Sequence, residues 1–498
     1  MRALLVCIGW LACAAWAAER QTVPTETSRH EVATATELSQ YGITWKFDRS
    51  CVVGKFVTGD YWVVGPVRII AVTPEPGPAP EDDKTEVRKN QFGDAGLQDD
   101  RRMRNGSMIV MKAGPSQGYD SRPRNFDPAL SVEFPCTLQV NQSIISTVSN
   151  PDVNVSNFVH ALMWPRETKS QLALRAAAVL TCLGEAPPAD SFRPPYAGTQ
   201  KPLHRLPDLR WDLLPKLTPI GDAPAWEQWE RYLQRPWLDH VSSWLYQVTG
   251  PSENQPSYGR EFSRVVSMAS LMLMLDAPKE RKEKLMIGFV QLGIDLHGLT
   301  QCGRQWPGDG GHWSGRKWPI LFAGLMLGDP DMQNLPPEII FQEDQQTYYG
   351  KGWCGQTALF QMVGHHGPRQ PYEERTPDTW DAMDRRSESY RLCCTAKAWI
   401  GTALAVQWIK AKRLWQHDAY FDYCDRWMNA NDPYALQRGK FRRPRDEGRT
   451  FDAFVDAMWA AYRPTAPEQE GASRNLKWVW RTNGQGGFVP NSSDGKAR

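Results

Sequence analysis

Residues 186–222 impose the strongest constraint on how this chain folds. The run PPADSFRPPYAGTQKPLHRLPDLRWDLLP sets φ and removes a backbone donor at each proline, so no continuous helix or strand runs through it. The hydrophobic pattern differs on its two sides. Upstream, GITWKF (42–47), YWVVGPVRIIAV (61–72), SMIVMKA (107–113), LSVEF (130–134) and SQLALRAAAVLTCL (170–183) are β-branched and aromatic runs punctuated by Gly, Pro, Asn and Asp, which is how strands read. Downstream, from Trp226 to Tyr462, segments such as WEQWERYLQRPWLDHVSSWLYQV, EFSRVVSMASLMLMLD, KERKEKLMIGFVQLGIDLHGL, RKWPILFAGLMLG, LCCTAKAWIGTALAVQWIKAKRLW, AYFDYCDRWM and FDAFVDAMWAAY repeat apolar residues at helical spacing. Several are apolar nearly all round, the mark of helices buried between neighbours. The expectation is an α+β multidomain chain. A β-sandwich-like domain spans 35–185, a proline-rich linker 186–222 and an α/α-toroid-like domain 223–463. The charged excursion from Pro74 to Arg104 reads as an exposed loop, and the polar tail 464–498 as partly disordered.

Residues 1–18 read as an export signal, with Arg2 as the charged start, Ala3 to Trp16 as the apolar core, and Ala14, Ala15, Ala17 and Ala18 as the small-residue boundary. That core is too short to span a bilayer, so the mature protein is expected to be secreted or periplasmic, without a membrane span. Lys and Arg number 58 against 56 Asp and Glu, a balance that argues against nucleic-acid binding by bulk charge. No glycine-rich phosphate loop follows a strand, so a nucleotide or redox cofactor finds no support. Of ten cysteines, Cys7 and Cys13 leave with the signal, and the remaining eight permit disulfides outside the cell. Adjacent Cys393 and Cys394 read as buried thiols within a helix. No CxxC or HExxH spacing occurs, so no zinc site is expected; no cofactor is called for, and a structural calcium ion stays open. Oligomeric state is not legible.

The chemistry concentrates in loops between the helices. Residues 301–318 hold Arg304, Trp306, Asp309, His312, Trp313, Arg316 and Trp318, with glycines 308, 310 and 311 allowing backbone forms closed to other residues. PSENQPSYGREFS contributes Asn254, Tyr258, Arg260 and Glu261. FQEDQQTYYGKGWCGQTALF contributes Glu343, Asp344, Tyr348, Tyr349 and Trp353. The stretch from His365 to Arg391 adds His365, His366, Glu388, Tyr390 and Arg391. Asn, Tyr, His and Arg together suit β-elimination from a uronic-acid polymer. An amide, imidazole or guanidinium neutralises the sugar carboxylate and the enolate-like charge, while a tyrosine moves protons. By type, Asn254, Arg304 and His312 fit the first role and Tyr258 the second, with Tyr348 or Tyr349 as substitutes. Trp306, Trp313, Arg316, Trp353 and Arg391 are the expected substrate contacts.

Two other readings compete. A glycoside hydrolase needs two carboxyls ~5–9 Å apart, for which Asp309, Glu343, Asp344 and Glu388 are available. A non-catalytic carbohydrate-binding protein needs only aromatic residues along a cleft. Each reading takes a polysaccharide or oligosaccharide as partner.

Export signal, β module, helical domain and the Asn/Tyr/His/Arg set together resemble the secreted α/α-toroid polysaccharide lyases, alginate-lyase-like and heparinase-lyase-like in the broad sense. The resemblance covers residues 226–462 at the level of architecture and residue type, carried by NQPSYGRE, GGHWSGRKWPILFAG and FQEDQQTYYG. It implies a lyase acting on a uronic-acid-containing polysaccharide. In known toroid lyases the β domain commonly follows the helices; here it precedes them.

Overall fold

The computed structural model describes residues 32–78, 103–123, 125–151, 172–242, 249–362, 371–429, 449–469, 471, 477–481 and 487–491. The segment expected to be an export signal, residues 79–102 of the stretch expected to be a charged loop, and His365 and His366 lie outside them. The fold is mixed, a curled half-barrel sheet followed by helices.

Strands β1 (Ala33–Gln40), β2 (Ile43–Lys55), β3 (Tyr61–Val64), β4 (Val67–Thr73), β5 (Gly77–Pro78), β6 (Met103–Arg104), β7 (Ser107–Met108), β8 (Cys136–Leu138), β9 (Gln142–Ser149) and β10 (Leu174–Leu183) make up the first part. The main sheet runs β7-β9-β10-β3-β2-β4-β8, with β1 paired to β2, while β5 and β6 pair separately. The run YWVVGPVRIIAV divides at Gly65–Pro66 into β3 and β4, since proline cannot donate to a ladder. SMIVMKA is strand only at its first two residues, and LSVEF forms none. No apolar run marks β9, because Ser143, Ser146 and Thr147 interrupt the pattern. All three are buried yet paired. Ser146 Oγ accepts from Trp45 Nε1 at 2.9 Å and meets Ser107 Oγ at 2.7 Å. Ser143 meets Thr181 at 3.0 Å, and Thr147 donates to the Gly106 carbonyl at 2.9 Å.

β10 lies between β9 and β3, antiparallel to the first and parallel to the second. Its side chains alternate between two cores. Ala176, Ala178 and Leu180 join Trp45, Ile69 and Ile144 on one face. Ala177 and Val179 join Ile145, Phe192 and the helices on the other. Burial on both faces explains why this segment reads as an unbroken apolar run.

The second part contains α1 (Trp226–Leu233), α2 (Gly259–Leu273), α3 (Lys279–Gln301), α4 (Lys317–Leu327), α5 (Pro330–Gln333), α6 (Gln342–Gln346), α7 (Ala382–Tyr390), α8 (Ala396–Trp408), α9 (Lys412–Trp415), α10 (Asp418–Met428) and α11 (Ala453–Tyr462). A short hairpin, β11 (Thr347–Tyr349) with β12 (Ala358–Phe360), follows α6. The pattern predicts one long helix from Trp226 into the 240s, but α1 stops at Leu233. Pro236 denies the continuing helix a donor and restricts Arg235 before it. The freed segment turns Asp239 and His240 inward. In the tail, where disorder is expected, β13 (Lys477–Arg481) and β14 (Gly487–Asn491) pair antiparallel.

The proline-rich segment is not a loose tether. Phe192, Arg193, Tyr196 and Ala197 are fully buried, and Arg193 ties sheet to helices. Its Nε donates to Asp60 on the β2–β3 turn at 2.7 Å, and its two Nη groups grip Asp295 of α3 at 2.9 and 2.5 Å. Arg193→Met should cost ~3–5 kcal/mol in urea unfolding, because two buried carboxylates lose their counter-charge. Arg205→Met, which breaks the exposed pair with Asp190, should leave the midpoint nearly unchanged.

Candidate functional site

The loop from Gly308 to Gly315 has no regular backbone pairing, so its buried polar groups need other partners. α6 supplies them. The Gly308 N–H donates to Gln345 Oε1 at 2.6 Å, and the Trp313 N–H to Gln342 Oε1 at 2.8 Å. Gln342 Nε2 donates to the Gly310 carbonyl at 3.0 Å and to Ser314 Oγ at 2.8 Å, and Gln346 Nε2 to the same carbonyl at 3.1 Å. Glu343 accepts from the Gly315 N–H. Asp344 anchors the clamp from behind, taking Lys317 Nζ at 2.5 Å and Trp415 Nε1 at 2.8 Å. All five residues of α6 are buried. In sequence a run of five polar residues looks like a surface turn, and only its two acids suggest chemistry.

The loop so held presents His312, half-buried, against Tyr258, the residue that precedes α2. Their rings meet edge to face with centroids 4.9 Å apart. The Gly311 N–H donates to the Tyr258 hydroxyl at 3.0 Å. Two glycines allow this approach: a Cβ on Gly259 would strike the His312 carbonyl, and one on Gly311 would strike the Cys394 carbonyl. Of the glycines singled out in this loop only Gly310 has positive φ, at 56°, and the Tyr390 ring lies against it.

Cys393 and Cys394 are joined in a disulfide, contrary to the expectation of two thiols. They lie in a π-helical turn, Arg391–Thr395, between α7 and α8; such turns are frequent at functional sites. Arg260 fastens this turn to α2, donating from Nη1 to the Cys393 carbonyl at 2.8 Å and from Nε to Glu261 at 3.0 Å. Tyr258, His312, Gly310, Gly311, Tyr390 and the disulfide thus form one cluster. Asp309 is half-buried on the same loop, and its carbonyl accepts from the His312 N–H at 3.0 Å.

Other expected site residues serve elsewhere. Arg304, Arg316 and Trp306 gather around Asp239. Arg316 Nε and Trp306 Nε1 donate to its carboxylate at 3.0 and 2.8 Å, and Arg304 Nε to its carbonyl at 2.8 Å. Arg304 also lies over the Trp313 ring, 4.4 Å from the centroid. These four side chains are buried, so none offers a surface to a polymer. Arg391, likewise buried, is gripped by Glu388 at 2.8 and 2.6 Å and donates to Tyr423 Oη at 3.1 Å. Asn254 donates its amide to the Tyr232 and Arg235 carbonyls at 3.3 and 3.0 Å, outside the cluster. Tyr348 is buried, and Tyr349 donates to Asp422. Burial, with the carboxylates beside them, pushes both phenols upward, the wrong direction for a base. Trp353 is half-buried against the helical core.

Among the described residues no group of three or more His, Cys, Asp or Glu side chains is arranged to hold a metal ion. No helix among them is long and apolar enough to cross a membrane. No known protein family, curated protein or solved structure matches the chain.

Glu343 is 2 % exposed, and its Oε2 has no partner. Burial pushes its carboxyl up to about 7 from an ordinary 4.5, against the pull of the Gly315 N–H. The folded protein therefore holds this proton over a range where the unfolded chain has released it. The stabilisation is full below the unfolded pKa and is lost as pH rises through the folded one. Glu343→Gln should flatten stability between about pH 5 and 8 and raise it at the alkaline end by up to roughly 3 kcal/mol. Urea unfolding across that range measures it.

Proposed function

We propose that this protein is an exported polysaccharide-degrading enzyme that cleaves a uronic-acid-containing polymer by β-elimination. In this reading the helices form an α/α-toroid-like scaffold and the sheet packs beside it. The observation that carries it is the Tyr258–His312 pair, a phenol and an imidazole in edge-to-face contact on a clamped glycine loop. β-Elimination needs a group that moves the proton next to the sugar carboxylate and a cation or donor that holds the resulting charge. Tyr258 takes the first role. A hydrogen bond from the Gly311 N–H at 3.0 Å fixes the position of its hydroxyl on the loop. His312, the more exposed of the two, takes the second. The parts assigned to Arg304 and Asn254 fall away, since their side chains are committed to Asp239 and to backbone carbonyls.

The hydrolytic reading has less to draw on. Asp344 is already neutralised by Lys317 and Glu388 by Arg391, Glu343 is sealed beneath the loop, and Asp309 is left without one of these as a second carboxyl.

The test is incubation of the full chain with a panel of acidic and neutral polysaccharides, following ultraviolet absorbance of unsaturated ends together with new reducing ends. Both signals are expected on a uronate polymer; reducing ends alone would replace elimination by hydrolysis. On the substrate so found, Tyr258→Phe should lower turnover ~10²–10⁴-fold and His312→Ala ~10²–10³-fold, with thermal stability little changed for Tyr258→Phe. Full activity in Tyr258→Phe would remove the phenol from the mechanism.

A further inference from the structure

A cavity of about 460 Å³ opens where the strand turns meet α1 and α3. It shares no lining residue with the Tyr258–His312 cluster, and its size falls within the ~300–1,000 Å³ of small-molecule sites.

Three features give its walls a chemical bias. The first is Tyr41. It sits at φ 53° beside Gly42 at φ 80°, in the two-residue turn between β1 and β2. Both central positions of such a turn need positive φ, which favours Asn-Gly; a bulky residue there costs about 1–2 kcal/mol. The tyrosine is kept at the cavity wall against that cost. Strain of this kind clusters where ligands bind.

The second is charge. The lining carries five carboxylates, Glu280 and Glu283 of α3 among them, and three cations, a formal excess of two negative charges within the lining; Glu230 is also held by Arg281 from outside it, at 2.8 Å. Part of the excess is built in, because Arg193 alone serves both Asp60 and Asp295. Arg235, which lies 4.1 Å from the Tyr41 ring centroid, is paired with Glu253. The third is a fixed polar wall: Gln291, 6 % exposed, donates Nε2 to the Arg193 carbonyl at 2.9 Å.

We propose that this cavity binds a small organic amine, a protonated amino group carried on a hydroxylated or short aliphatic frame. An ammonium brings three donors and no acceptor. It answers the carboxylate excess, and it is attracted to an aromatic face such as that of Tyr41. A uronate would carry negative charge into a negative cavity, so this site is separate from the polymer site proposed above and stands or falls independently of it.

The experiment titrates the full chain by calorimetry and thermal shift with glucosamine, N-acetylglucosamine and putrescine at low salt near neutral pH. At least one of the two amines should bind saturably and raise Tm, while N-acetylglucosamine, its charge removed, should not. Glucosamine alone binding identifies a hydroxylated frame, and putrescine alone an aliphatic one. Tyr41→Asn and Glu283→Gln should each weaken the bound amine at least about tenfold. Tyr41→Asn should keep the unliganded Tm, because asparagine suits the turn. Binding of neither amine, equal binding of the acetylated sugar, or unchanged affinity in both variants would overturn the proposal.

Discussion

The buried backbone of residues 308–315 must find hydrogen-bond partners outside regular structure, and the side chains of α6 provide them. Each unsatisfied group would cost about 1–3 kcal/mol, so the amides of Gln342, Gln345 and Gln346 decide whether this loop has one conformation. The consequences spread outward. A fixed loop lets α2 begin at Gly259 directly beneath His312 and lets the π-turn of Cys393–Cys394 close over Gly311. Asp344 carries the arrangement on to α4 and α9 through Lys317 and Trp415. The cluster is thus built from three separate stretches of chain, and the loop at its centre rests on a five-residue helix.

A second centre, Asp239, explains why so many residues that look like ligand contacts are structural. One buried carboxylate collects a guanidinium and an indole, its backbone carbonyl takes another guanidinium, and the rings of Trp313 and Phe262 flank these arginines. Arginine and tryptophan serve a polymer cleft or a buried ion site equally well by type. The difference lies in where an acceptor sits, and Asp239 is some 65 to 77 residues away in sequence.

What was legible before the structure follows from that distinction. Periodicity located β2, β10 and α2 to α4, whose apolar faces are set by local spacing. It missed β9, where buried hydroxyls replace apolar side chains and are satisfied by Trp45, Ser107, Thr181 and the Gly106 carbonyl, all distant in sequence. It overran α1, where Pro236 outweighs the amphipathic pattern. Tyr258 and His312 could be chosen by chemical type, and they do meet. Arg304 and Asn254 could be chosen by the same logic and do not join them, because nothing local records a commitment to a distant carbonyl.

The position of β10 bears on how the molecule comes apart. One side of this strand closes the inner core of the sheet, and the other closes the core shared with the helices. The strand-rich part therefore keeps one apolar face dry by itself and depends on the helices to cover the other. Cut away at the proline-rich segment, it would turn Ile145, Ala177 and Val179 toward water. The helices would in turn lose their cover over Phe192 and its neighbours. Two patterns of periodicity are visible along the chain, but they are coupled through the shared face of β9 and β10, so loss of either part exposes the other.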